Sequence, residues 1–190
     1  SQVVGIVYFD ANNNQQQHLV QAPYINLYRP TMLVSGYTLR YGAVLVKALK
    51  TSVVVKTCAV QAASDGYWSC SSFPGDIDSL EVTTFGAAFT VSVPAFTMDV
   101  NSDTDTIWGT APASTRVYSY VSGIISASSQ NMLSQADGSY SFSFAPGYDI
   151  KHLNDARAYL YSSDNDYFSY EKRVPGVEAY ETDNRASGYA

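Results

Sequence analysis

The sequence predicts an all-β protein made of two β-sandwich domains in series, with extra strands at both ends. Three observations carry this: apolar residues alternate, turn dipeptides recur at short intervals, and one phrase occurs twice. Alternation is plain in SYSFSF (139–144), RAYLY (157–161) and FTVSV (89–93). Period two is the mark of strands with one buried face, and Val, Thr, Tyr and Phe supply the propensity. Turn signals fall at Asp65-Gly66, Pro74-Gly75, Asp137-Gly138 and Pro146-Gly147. The one helix-like window, KHLNDARAYL (151–160), passes into alternation.

The duplicated phrase is ASDGYWSCSSFPGDI (63–77) against QADGSYSFSFAPGYDI (135–150). Asp65-Gly66 and Asp137-Gly138 lie 72 positions apart, and Pro74-Gly75 and Pro146-Gly147 keep that offset. Upstream, LVSGYTLRYGAVLV (33–46) stands opposite TIWGTAPASTRVYSY (106–120), with Gly36 opposite Gly109. Downstream, residues 79–96 stand opposite 155–177, with a longer hairpin loop in the second copy. A repeat of this size predicts two similar domains. The expected division is a strand or hairpin segment at 1–22, domains at 23–94 and 95–174, and a strand segment at 175–190. The end segments echo the domains. GIVYFDANNNQQQHLVQAP (5–23) matches AYLYSSDNDYFSYEKRVPG (158–176), and VPGVEAYETDNRASGY (174–189) matches APYINLYRPTMLVSGY (22–37).

Length and composition narrow the function classes. A chain of 190 residues can bury one large core or two small ones. Charged residues make up 15%, below the usual ~25%, so solubility rests on Ser, Thr, Asn, Gln and Tyr. Hydrophobic residues at 46% and aromatics at 14% argue against disorder. The net charge is -6 and the eleven basic residues are scattered, so no phosphate-binding surface and no nucleic-acid partner is expected. No apolar run approaches the ~20 residues of a membrane span, and no signal-peptide pattern is present. The opening SQVVGIVYFD suits a mature chain after cleavage or a piece of a longer one.

TDTIWGTAPASTRVYSYV, followed by SQADGSYSFSF, resembles the bacterial immunoglobulin-like repeats of surface adhesins and extracellular fibres. The residues that carry the resemblance are Gly109, Thr110, Ala111, Val117, Asp137, Gly138, Tyr140, Phe142 and Phe144. The first copy matches through Gly36, Gly42, Val44, Asp65, Gly66 and Trp68, and departs at YTLRYG. The resemblance spans roughly residues 22–176. It implies immunoglobulin-like sandwiches, used in such proteins as spacers or as binding heads. GIVYFDANNN also resembles the calcium-loop start of a related adhesin module, with Gln15 where that loop has glycine.

The candidate site residues follow from the pattern. Asp65, Gly66, Asp137 and Gly138 read as hairpin turns, because Asp-Gly supplies positive φ. Trp68, Cys70 and Ser72 share one strand face, as do Tyr140, Phe142 and Phe144 in the second copy; both faces read as core. An exposed, sugar-stacking Trp68 is the alternative. Cys58 and Cys70, the only cysteines, are expected to face each other across a hairpin and form a disulfide, with two buried thiols as the alternative. Asp10-Ala-Asn12-Asn-Asn14, Asn101-Ser-Asp103-Thr-Asp105 and Ser162-Ser-Asp164-Asn-Asp166 offer oxygen ligands to calcium, with Asp103, Asp105, Asp164 and Asp166 the main candidates. Solvated turn residues are the alternative, and no other cofactor is expected.

His18 and His152 are the only histidines, and no hydrolase, zinc or phosphate-loop motif is present. The expectation is a non-enzyme at the cell surface or outside the cell. It would assemble head to tail into a filament through terminal strands that include Val3, Val4, Ile6, Tyr8, Val177 and Tyr180. Its partners would be copies of itself or neighbouring repeats. A stalk segment of an adhesin and a carbohydrate-binding module are the alternatives. The sixteen tyrosines suit protein contacts or stacking on glycans.

Overall fold

The computed structural model describes residues 3–9, 15–21, 24–84, 87–123, 127–180 and 185–189; for 3–9, 15–21, 176–180 and 185–189 it describes the backbone. The N-terminal strands are β1 (Val3–Phe9) and β2 (Gln15–Gln21). A first unit holds β3 (Ile25–Tyr28), β4 (Leu33–Tyr37), β5 (Ala43–Lys50), β6 (Val53–Gln61), β7 (Tyr67–Cys70), β8 (Ser79–Thr84) and β9 (Ala87–Ser92). A second holds β10 (Asp99–Asn101), β11 (Thr106–Thr110), β12 (Arg116–Ser122), β13 (Ala127–Leu133), β14 (Ser139–Ser143), β15 (Asp155–Tyr161) and β16 (Tyr167–Arg173). The last strands are β17 (Gly176–Tyr180) and β18 (Arg185–Tyr189). Among the described residues the one helical element is a three-residue 3-10 turn at Arg29–Thr31.

The fold is all-β, with two tandem immunoglobulin-like sandwiches. In the first unit the layers are β3-β4-β7 and β6-β5-β8-β9; in the second they are β10-β11-β14 and β13-β12-β15-β16. Alternation fills the space between them. β5 buries Val44, Val46 and Ala48; its counterpart β12 buries Val117, Ser119 and Val121. Ile25, Leu27, Val34 and Trp68 come in from the facing layer of the first unit, and Ile107, Tyr140 and Phe142 from that of the second. Fully burying such a side chain is worth about 1.5–3 kcal/mol.

The structure changes the sequence picture at one connection in each unit. Asp65-Gly66 and Asp137-Gly138 do not close hairpins between paired strands. β6 pairs with β5 and β7 with β4, so the turn carries the chain from one layer to the other. The same holds for β13 and β14. The local bonding is nevertheless that of a tight turn. The Gly66 N–H donates to Ala63 O at 3.0 Å, and the Gly138 N–H donates to Gln135 O at 2.9 Å. Asp65 Oδ1 accepts from the Tyr67 N–H and Asp137 Oδ1 from the Ser139 N–H, each at 2.9 Å. Both glycines hold φ near +85°, at +86° and +84°, where a side chain is strained. Long-range bonds turn the chain aside. The Thr38 N–H donates to Gly66 O and the Ala111 N–H to Gly138 O, tying each turn to the end of the opposite layer. Two further positions differ. Ser72 does not continue the buried face, because it adopts φ +64° and turns outward, and Phe73 is buried instead. Cys58 and Cys70 do form a disulfide, but between the two layers rather than across a hairpin.

The largest addition to the sequence picture lies between the units. β16 pairs in parallel with β3, matching Tyr167 with Asn26, Phe168 with Leu27 and Ser169 with Tyr28. The four-stranded layer of the second unit and the three-stranded layer of the first become one seven-stranded sheet, β13-β12-β15-β16-β3-β4-β7. The hairpins β1-β2 and β17-β18 each form a two-stranded sheet.

Gly36 and Gly109 mark matching close approaches of backbone in the two units. A Cβ on Gly36 would lie 2.6 Å from Tyr24 O and 2.8 Å from the Trp68 ring; one on Gly109 would lie 2.1 Å from Thr97 O. The obstacle at Gly109 is backbone, which cannot swing aside. Gly109→Ala is therefore expected to destabilise the protein by about 1–3 kcal/mol, the usual cost of overpacking, measured by chemical denaturation. An exposed control such as Gly75→Ala, with nothing near the added Cβ, should leave stability almost unchanged.

Candidate functional site

Parity along the strands of the seven-stranded sheet builds a surface of tyrosines. On β12, Val117, Ser119 and Val121 point into the core, so Tyr118 and Tyr120 point out. On β15, Ala156, Ala158 and Leu160 point in, so Arg157, Tyr159 and Tyr161 point out. On β3, Ile25 and Leu27 are buried, leaving Asn26 and Tyr28 on the same outer face. Register aligns these into rows. Tyr118 lies opposite Tyr159, Tyr159 opposite Ser169, and Ser169 opposite Tyr28. Tyr161 lies opposite Tyr167, and Tyr167 opposite Asn26.

The rings pack on one another. Tyr118 and Tyr159 stack with centroids 5.1 Å apart and planes 7° from parallel. Tyr167 sits 5.4 Å from both Tyr159 and Tyr161. Tyr24, Tyr28, Tyr120, Asn165 and Arg157 complete an open basin of about 860 Å³ that crosses the junction of the two units. Arg157 reaches across to Glu171, its Nε donating to Oε2 at 2.9 Å. The basin thus has aromatic walls with phenol groups and the Arg157 guanidinium in its lining. Such a surface can stack on flat apolar rings and hydrogen-bond hydroxyl groups. Among the described residues, no group of three or more His, Cys, Asp or Glu is placed to hold a metal ion.

Asp166, named from sequence as a calcium candidate, holds the junction beside this basin. It is 4% exposed, and its Oδ1 accepts the Ile25 N–H at 2.9 Å. Its Oδ2 accepts from Ser162 Oγ at 3.2 Å. Burial raises its pKa more than these donors lower it. Asp105 has φ +50° and its carboxylate accepts the Ile150 N–H at 2.8 Å. Asp103 and Asp164 are exposed turn residues, with N–H groups that donate to Asn101 Oδ1 and Ser162 Oγ. Asp10–Asn14 lie outside the described residues. Trp68, Tyr140, Phe142 and Phe144 are all buried, and Tyr140 also donates its hydroxyl to Thr97 O at 2.7 Å. His152 is exposed and bonds through Nδ1 to Pro175 O. Val3, Val4, Ile6 and Tyr8 lie on β1, and Val177 and Tyr180 on β17; the side chains of these assembly candidates, and that of His18, are outside the described residues. Sequence reasoning counted the tyrosines without placing them. Their signal was parity: each outward tyrosine on β12 and β15 is one position away from a small or aliphatic core residue.

No protein-family model matches the sequence, and no curated protein is significantly similar to it. Solved structures offer distant similarities. One is a tetra-tandem repeat from the extending region of a large adhesion protein, at 17% identity over 92% of this chain and 57% of that one, TM-score 0.34. This chain thus spans just over half the length of that structure. Another concerns host cell surface retention of a 1.5-MDa bacterial ice-binding adhesin, at 13% identity over 87% and 70%, TM-score 0.29. A third is the CD2-binding domain of CD58, at 13% identity over 82% and 98%, TM-score 0.26. Among the described residues, no helix is long and apolar enough to cross a membrane.

The basin makes a titration prediction. Burial, and then neighbouring phenols, push the pKa values of Tyr24 and Tyr159 up; burial is also the first cause at Tyr28 and Tyr167 and, away from the basin, at Tyr140 in the core of the second unit. A phenol with a raised pKa in the fold keeps its proton after the unfolded chain has lost it. The stability it contributes is full below the unfolded value of ~10 and is lost as pH rises through the folded values. Ultraviolet titration of tyrosinate should therefore run later in the native protein than in denaturant, with the melting temperature falling above pH ~10.

Proposed function

We propose that this chain is an extracellular structural subunit that joins its neighbours head to tail, through pairing of terminal strands, into a filament or pilus-like fibre. The observation that carries the reading is the parallel pairing of β16 with β3. It makes the contact between units out of main-chain hydrogen bonds, the kind of contact that strand addition uses between chains. A contact of this kind that does not close on itself grows a fibre. The disulfide fits an oxidising compartment, and a surface with few charges suits a chain packed against copies of itself. In a surface adhesin the same contact would join neighbouring repeats of one long polypeptide, as a stalk.

Electron microscopy and light scattering of native material across a concentration series test the reading. Filaments with an axial repeat of some tens of ångströms are expected, since typical strands span only ~17–20 Å. Single short particles at every concentration would overturn it. A native mass far above 20.7 kDa would favour the stalk.

The tyrosine basin supports a second reading, a carbohydrate-binding surface. In that case a glycan array gives binders, and Tyr120→Ala and Tyr159→Ala each weaken them without lowering the melting temperature by more than a few degrees. An array without binders removes this reading.

A further inference from the structure

The terminal hairpins are second copies of the two hairpins that meet at the junction of the units. β1-β2 repeats β15-β16: Val3 pairs with Gln21 and Phe9 with Gln15, as Asp155 pairs with Arg173 and Tyr161 with Tyr167. β17-β18 repeats β3-β4: Val177 pairs with Gly188 and Tyr180 with Arg185, as Ile25 pairs with Gly36 and Tyr28 with Leu33. Both correspondences hold at one offset, 152 positions, as from Leu33 to Arg185 or from Phe9 to Tyr161. Connecting lengths and register agree, strand bounds agree except that β17 begins one residue earlier than β3 does, and the Ser-Gly-Tyr of β4 (35–37) returns in β18 (187–189).

Within the chain, the originals meet. β16 lies parallel to β3 and makes the order β15-β16-β3-β4 inside the seven-stranded sheet. The duplicates do not meet: β1-β2 and β17-β18 are separate two-stranded sheets. We infer that β17 of one copy pairs in parallel with β2 of a second copy, forming an intermolecular sheet in the order β1-β2-β17-β18 that reproduces the junction between the units. The junction register fixes the new one. Tyr167 opposite Asn26, Phe168 opposite Leu27 and Ser169 opposite Tyr28 become Gln15 opposite Glu178, Gln16 opposite Ala179 and Gln17 opposite Tyr180. The partner is a second copy because this chain carries both halves of the pair, one in each terminal hairpin. The inference rests on the head-to-tail reading above and names the strands and register that would make the joint.

Cysteine cross-linking of the full-length chain tests it. Paired strands lie ~4.8 Å apart, within reach of a disulfide, whereas a position four residues along a strand is ~13 Å away. Gln17→Cys and Tyr180→Cys chains, mixed and oxidised gently, should give a covalent dimer at least about tenfold more abundant than Gln21→Cys mixed with Tyr180→Cys. Peptide mapping should find residues 17 and 180 joined. Equal yields in the two mixtures overturn the pairing. So does a Gln17→Cys/Tyr180→Cys double variant that closes only within single chains at every concentration. If the wild-type chain assembles in light scattering while the cross-link fails, the register named here is wrong and head-to-tail assembly stands. If neither assembly nor cross-link is seen, both fall.

Discussion

Three residues of β3 and three of β16 decide the shape of this molecule. Their parallel pairing joins segments 141 positions apart, and the Asp166 carboxylate completes it by accepting the Ile25 N–H at the start of β3. An exposed strand edge is a row of unsatisfied donors and acceptors, and here β16 takes up the outer edge of β3. Much else follows. The layers of two units line up as one sheet, and the outward residues of β12, β15, β16 and β3 fall on one continuous face. The tyrosine basin exists because the junction exists; neither unit alone supplies Tyr28 and Tyr159 in one row.

Inside each unit the structure is the same solution written twice. Gly36 and Gly109 admit a passing carbonyl, and Gly66 and Gly138 take the positive φ of the layer-crossing turn. Met32 and Asp105 share the left-handed conformation at matching places. The units diverge where the chemistry allows. Trp68 in the first becomes Tyr140 in the second, and the tyrosine hydroxyl gains a bond to Thr97 O that an indole could not make in the same way. Two positions separate β8 from β9 in the sequence, whereas the loop after β15 is longer and delivers Asp166 to the neighbouring unit.

How much of this was legible in the sequence depended on range. Alternation and the repeated Asp-Gly phrase are local, and they were enough for the all-β class, the two sandwiches and the buried Trp68, Tyr140, Phe142 and Phe144. The cysteine pair was legible as a disulfide, but not as a tie between layers. An Asp-Gly turn looks the same in a hairpin as in a crossing, and what separates the two is the distant bond from Thr38 to Gly66 O. The β16–β3 pairing left no local trace, since backbone groups pair without regard to side chain. Asp166 illustrates the ambiguity of a single residue type: an acidic loop residue suits calcium, a solvated turn or a buried acceptor, and only the position of the Ile25 amide chooses.

The disulfide sits in one unit only. Cys58 and Cys70 tie the two layers of the first sandwich, while the matching place beside Phe142 in the second has no such tie. Under tension along the chain the two units would therefore yield differently. The second can pay out its whole contour, whereas the first withholds the eleven residues between its cysteines, about 40 Å of extended chain, and keeps its layers leashed after their hydrogen bonds part. A fibre built from such chains would alternate a fully extensible link with a partly locked one, and a reducing agent would lengthen its stretch without changing its resting length.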